Sequence, residues 1–205
     1  MKDVYTLFRT SLAGLRVLAL LTLVVGLAYP LAVTGIAQVA LPWQADGSLV
    51  TRSGAHTTDR GTAVGSALVG QLTDDEGLFH NRPSAAGDGY DMLSSAGSNL
   101  GPSDPSLVAS IETLRTEIAR REGVGESDVP PDAVTSSGSG LDPHISPEYA
   151  DLQVARVAAA QDLSEEVVRR LVADHTDGRA LGVLGEPHVN VLALNLAVLA
   201  AAGGA

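Results

Sequence analysis

The feature that most constrains this chain is a stretch without charge. After Arg16 the next charged residue is Asp46, and the 29 residues between them open "VLALLTLVVGLAYPLAVTGIAQVALPW". A helix of about 20 apolar residues crosses a bilayer's hydrocarbon core, so this run is long enough to span one. A cleavable secretory leader shares the basic start, and "GIA" at 35–37 offers small residues at a cleavage spacing. A leader's apolar part runs only about 7–15 residues, however. An uncleaved transmembrane helix over residues 17–41 is therefore the expectation. Pro30 is tolerable inside such a helix where its freed carbonyl finds another partner, and Trp43 suits the headgroup level.

Residues 1–16 carry Lys2, Arg9 and Arg16 against Asp3 alone. The positive-inside rule then expects 1–16 to be cytoplasmic and 42–205 to form an extracytoplasmic domain. From Asp46 onward the chain holds ten basic and 23 acidic residues, a formal charge of −13. Such a surface repels nucleic acid, whose binding needs basic patches, so no nucleic-acid partner is expected. It attracts cations weakly, through screening salt, and it equally serves solubility.

Two absences narrow the chemistry. There is no cysteine, hence neither disulfides nor thiolate metal sites. Lys2 is the only lysine. Walker A loops, Ser-x-x-Lys hydrolases and Schiff-base enzymes all need a lysine at the site, so none of these designs is open to the external part.

The pattern beyond the anchor reads as one compact α+β domain. Residues 46–62 are polar and expected as an exposed juncture, and "AVGSALVGQL" (63–72) as a strand. Residues 79–106 form a long Ser/Gly/Asn/Asp/Pro-rich loop, whose Phe79, Tyr90, Met92 and Leu93 argue that it packs on something. Asp104-Pro105 starts a helix with Leu107, Ile111, Leu114 and Ile118 on one face, and Gly123 closes it. "AVT" (133–135) reads as extended. Ser146-Pro147 starts a second helix running to about Gln161, and Ser164 a third, with Leu163 and Val168 placed as a hydrophobic staple. "ALGVLG" (180–185) reads as a strand. "VNVLALNLAVLAA" (189–201) is apolar on every face and too short to span, so a buried core helix is expected.

The most chemical-looking stretch is "TSSGSGLDPHISPEYA" (135–150). It has no Gly-x-Ser-x-Gly spacing for a nucleophile elbow, and Asp142 and His144 are too close in sequence to indicate a triad. His56, His80, His144, His175 and His188 show no i, i+4 metal spacing and read as turn or cap residues. No catalytic or metal residue is assigned. The Ser/Gly loop ahead of a helix could hold an anion on backbone amides, or it could be a turn whose glycines supply φ > 0; the turn is the favoured reading.

Five segments together identify a family. "GSALVGQ" (65–71), "FHNRPSAAGDGYD" (79–91), "SSAGSNLGPSDPSL" (94–107), "TSSGSGLDPHISPEYADLQVARVA" (135–158) and "LGEPHVNVLALNLAV" (184–198), behind one apolar helix, resemble the C subunits of Kdp potassium-transporting P-type ATPases. The resemblance implies a non-catalytic, single-span subunit of the cell membrane. Its partners would be a potassium-selective A subunit, an ATP-hydrolysing B subunit and a small F subunit. It implies a part in assembly, an external domain over the A subunit, and a catalytic-chaperone role raising the B subunit's ATP affinity. No cofactor of its own is implied, ATP and K+ being handled by the complex. The family's proposed nucleotide contact, a serine-glycine segment followed by a glutamine, falls here on Ser137, Gly138, Ser139, Gly140 and Gln153. On the expected topology these residues lie where ATP is scarce.

Overall fold

A computed structural model describes residues 2–203 and divides them into two compact units that meet at Gly47/Ser48. The first unit is helical: α1 (Lys2–Leu23), a π-helical turn (Val24–Ala28), α2 (Tyr29–Ala40) and a short α3 (Pro42–Ala45). Pro30 does not break it. Proline supplies no N–H and crowds the carbonyl four residues earlier. One π turn upstream absorbs this, with the Tyr29 N–H bonded to the Val24 carbonyl five residues back. Of the described residues, Asp3–Ala40 is the one helix of 38 residues long and apolar enough to cross a membrane.

The second unit begins with a small antiparallel sheet, β1 (Leu49–Thr51), β2 (His56–Thr57) and β3 (Ala63–Ser66), in the order β2-β1-β3. The expected exposed juncture thus contains a hairpin. The expected strand 63–72 stops at Ser66, where the Ala67 N–H returns to the Ser48 carbonyl. Helix α4 (Pro105–Glu122) carries the predicted ends: the Asp104 side chain accepts from Ser106 N, and Gly123 caps in the left-handed region at φ 70°. Helix α5 (Pro147–Ala160) is capped by Ser146 and α6 (Glu165–Asp174) by Ser164. A second sheet, in the order β4-β6-β5, joins β4 (His144–Ile145), β5 (Thr176–Asp177) and β6 (His188–Asn190), and α7 (Val191–Gly203) follows directly.

The core collects around α5, with Tyr149, Ala150, Val154, Val157 and Ala158 buried. Against it lie Phe79, Ile118, Ile145, Val168, Val189, Leu194 and Val198. The staple forms, Val168 being fully buried and Leu163 packed on the same core. α7 is the expected core helix, burying Val191, Leu194, Leu196 and Val198.

Two local expectations are corrected. Ala133 and Val134 are not extended, because Pro130 and Pro131 lead into a 3-10 turn over Pro131–Val134; only Thr135, just after it, is extended, at φ −128° and ψ 134°. Residues 180–185 are not a strand. The Ala180 N–H bonds the Leu184 carbonyl around a reversal, with Leu181, Gly182 and Gly185 all at positive φ. Leu181, Val183 and Leu184 stand exposed. Short apolar runs containing glycine fit a turn as readily as a strand.

Candidate functional site

The Ser/Gly segment is a turn held by its own hydroxyls. Ser137 Oγ accepts from Gly140 N at 2.9 Å, and Ser139 Oγ accepts from Leu141 N at 3.1 Å. Gly140 sits at φ 67°, and a Cβ there would lie 2.6 Å from the Ala96 carbonyl and 2.7 Å from Ala86 N. That proximity reflects docking. Ser84 Oγ donates to the Gly140 carbonyl at 2.6 Å and Ser95 Oγ to the Ser139 carbonyl at 2.9 Å, seating the turn on residues 84–97. Gly138, by contrast, is exposed, with nothing within 4 Å of where a Cβ would stand.

The helix that follows already has an anion at its start. Asp132 accepts from both Ser146 N and Ser146 Oγ at 2.8 Å, while Ser146 Oγ accepts from Tyr149 N at 3.0 Å. A carboxylate thus takes the place an external phosphate would need at this helix N-terminus.

Gln153 is fully buried. Its Oε1 accepts from His80 N at 2.7 Å and from Arg156 Nη2 at 2.9 Å. Its Nε2 donates to the carbonyls of His80 at 3.2 Å and Tyr149 at 3.3 Å. The neighbouring residue is gripped the same way from α7: Asn195 Oδ1 accepts from Phe79 N at 2.8 Å, and its Nδ2 donates to the Phe79 carbonyl at 2.9 Å. Two carboxamides thus stand in for flanking strands along consecutive residues. Each gives one bond to and receives one bond from the main chain of the residue it grips, groups that would otherwise go unpaired. The structure brings Ser137, Gly138, Ser139 and Gly140 together in one turn and places Gln153 apart from it, bonded to the 79–80 segment.

Charge reinforces this clamp. The Glu122 side chain has no exposed surface and lies between Arg121 Nε at 2.7 Å and Arg156 Nε at 2.9 Å. Arg156 continues to the Leu78 carbonyl at 3.0 Å and to the Glu76 carbonyl. His80 is held below its ordinary pKa by burial first, then by the Arg121 and Arg156 charges.

Arg82 links the two signature loops. It donates to the Thr135 carbonyl at 3.1 Å and pairs with Asp142 at 3.3 Å, while Tyr90 Oη donates to the Arg82 carbonyl at 2.8 Å. Burial acts to raise the Asp142 carboxyl, but the bonds from the His144 ring and main chain, with the His144 and Arg82 charges, outweigh it and hold the group low. Burial, with Asp142 beside it, pushes the Tyr90 hydroxyl well above its usual value. His144 and His188, far apart in sequence, meet edge to face with centroids 4.4 Å apart. Among the described residues no group of three His, Cys, Asp or Glu side chains could hold a metal.

A cleft of about 280 Å3 opens between residues 80–90 and α4, with His80, Arg82, Tyr90 and Arg121 in its wall. Both guanidinium groups are already ion-paired, Arg82 to Asp142 and Arg121 to Glu122. Nothing in the sequence marked Arg82 or Arg156 as a tie. Asn195 did carry a signal, as the one polar side chain of α7.

Comparison with known proteins places the chain in a family. The family described as "KdpC: K+-transporting ATPase, c chain" matches residues 11–200. A potassium-transporting ATPase KdpC subunit of Kineococcus radiotolerans is 52% identical over 196 residues, 96% of each chain. One of Sorangium cellulosum is 52% identical over 186 residues, 90% of this chain and 94% of its own. Another, of Nitratidesulfovibrio vulgaris, is 50% identical over 200 residues, covering 97% and 96%. Membership of a potassium-pump family, with one helix able to span, fits a single-pass membrane protein. With its family match running through the turn, the carboxamide clamp and the core helix alike, the chain belongs to the KdpC family, the C chain of K+-transporting ATPases.

Proposed function

We propose that this chain is a non-catalytic subunit of an ATP-driven, high-affinity potassium uptake complex. It assembles with A, B and F subunits, its N-terminus is cytoplasmic and residues 46–205 lie outside, with the domain over the potassium-selective A subunit. In this role it supports assembly and raises the ATP affinity of the B subunit indirectly. The observation that carries the reading is the inward use of the polar groups. Gln153 bonds main chain in the core, and the Ser137 and Ser139 hydroxyls accept from main-chain N–H groups of their own turn. The exposed Gly138–Ser139 edge, seated on a second signature loop, suits contact with a neighbouring subunit better than with a nucleotide.

The second reading is a nucleotide-contacting accessory that binds ATP through Ser137, Gly138, Ser139, Gly140 and Gln153. Its support is that the turn's tip is solvent-facing. Ser139→Ala in the assembled complex separates the two. An unchanged ATP KM fits the subunit reading, and a tenfold rise, a loss of about 1.4 kcal/mol, fits the nucleotide reading.

A further inference from the structure

The helix is longer than the membrane needs. Its 38 residues from Asp3 to Ala40 span about 57 Å at a rise of about 1.5 Å per residue, against a hydrocarbon core about 30 Å thick. The uncharged part alone, 17–40, covers that core, so residues 2–16 are surplus to the span.

Those surplus residues are amphipathic. At about 100° per residue, Val4, Tyr5, Phe8, Leu12 and Leu15 fall on one face of α1. Arg9 and Arg16, seven residues apart, form a stripe along its border, and position 2 is in the same register. Asp3, Thr6, Thr10 and Ala13 lie on the other side, with the exposed Leu7 as the one large apolar residue among them. Val4, Tyr5, Phe8 and Leu15 are all exposed within the chain. The Arg9 guanidinium lies over the Tyr5 ring, 5.7 Å from its centre, at the border between the two faces. Among the described residues, neither Arg9 nor Arg16 has a carboxylate within ion-pair distance.

We propose that residues 2–16 form a headgroup-binding segment: Arg9 and Arg16 engage the phosphates of an anionic leaflet, while Tyr5, Phe8, Leu12 and Leu15 lie against the acyl boundary. Charge complementarity selects this occupant. Two unpaired cations bordering an apolar face are the pattern of helices that lie in the interface, where long basic side chains reach the phosphates from the edge of the buried face. A neighbouring protein helix would answer the guanidinium groups only with carboxylates placed opposite both, whereas an anionic leaflet presents phosphates along the whole stripe. The proposal rests on residues 17–40 spanning the bilayer.

Since the chain has no cysteine, single cysteines can be introduced at successive positions from 4 to 40 of the full chain and spin-labelled. The chain is then placed in phosphatidylcholine vesicles with and without phosphatidylglycerol, and collisions with oxygen and with a water-soluble nickel complex are compared. The expected result is a helical alternation over 4–15. Phe8→Cys is oxygen-accessible and Ala13→Cys nickel-accessible, and the contrast grows severalfold with phosphatidylglycerol. Adding Arg9→Gln removes that growth, and Arg9→Lys keeps it. Uniform nickel access over 4–15 overturns the proposal, as does an alternation indifferent to phosphatidylglycerol, or labels shielded from both reagents as in a protein-packed helix. Labels at 17–40 report separately on the span. If they are oxygen-accessible throughout while 4–15 stays in water, the proposal fails and the spanning helix stands.

Discussion

Gln153 closes on the main chain of His80, accepting from its N–H at 2.7 Å and donating to its carbonyl at 3.2 Å. One step back, Asn195 does the same to Phe79. These two contacts anchor the start of the long loop to helices on opposite sides, and the loop in turn seats the Ser/Gly turn.

Removing a carboxamide leaves a buried N–H and a buried carbonyl unpaired. Each such group costs about 1–3 kcal/mol when fully buried, so Asn195→Ala is expected to lower unfolding free energy by about 2–6 kcal/mol. Gln153→Ala, whose partner His80 is part-buried, should lower it by an amount toward the lower end of that range. Urea unfolding of the detergent-solubilised chain measures this. A loss below about 0.5 kcal/mol, typical of surface substitutions, contradicts the clamp.

The two glycines of the turn should behave oppositely. Gly140→Ala combines a positive φ with main-chain atoms 2.6 and 2.7 Å from the new Cβ, and is expected to cost about 2–4 kcal/mol. Gly138→Ala meets nothing within 4 Å and should stay within about 0.5 kcal/mol of the parent. Comparable losses at both positions would show that the turn is not docked as described.

Arg156→Ala leaves the Glu122 carboxylate buried beside Arg121 alone and breaks bonds to Leu78 and Gln153. Breaking a buried pair from one side is expected to cost about 3–5 kcal/mol. In a double-mutant cycle with Glu122→Gln, the two losses should fall short of additive by about 1 kcal/mol or more. Strict additivity would deny the coupling.

Stability should also fall on acidification, in two stages. His80 has a lowered pKa in the fold, through burial and then Arg121 and Arg156, so the folded chain takes up that proton less readily than the unfolded one. Its contribution is complete above the unfolded value of about 6.5 and is lost as pH falls from there through the lower folded value. The depressed Asp142 carboxyl acts lower down, its contribution present above about 3.9 and lost as pH falls through its folded value. Unfolding by urea across a pH series should show both stages, and His80→Gln should abolish the upper one while sparing the lower.

Much of this was legible in the residues, and what was not has a common cause. Caps report on themselves within one turn of chain, so Asp104, Ser146 and Ser164 marked three helix starts correctly. The apolar run at 189–201 announced a buried helix, found at Val191–Gly203, while the partner of its Asn195, Phe79, lies 116 residues away and left no local mark. Arg82, Arg156 and Gln153 act across separations of 53 to 78 residues. No local pattern encodes such a tie. The same locality misled at 180–185, where a short apolar run with glycines fits a turn as readily as a strand and the structure makes a reversal with Leu181, Gly182 and Gly185 at positive φ.

The central claim is that the Ser/Gly turn faces away from the compartment holding ATP and serves the fold and its neighbours. Gly138→Cys tests it most directly, since the position is exposed, open, and would carry the chain's single thiol. In sealed right-side-out vesicles bearing the assembled complex, a membrane-impermeant maleimide should label this cysteine without permeabilisation. Labelling that appears only after the membrane is opened would place the turn with ATP and contradict the account.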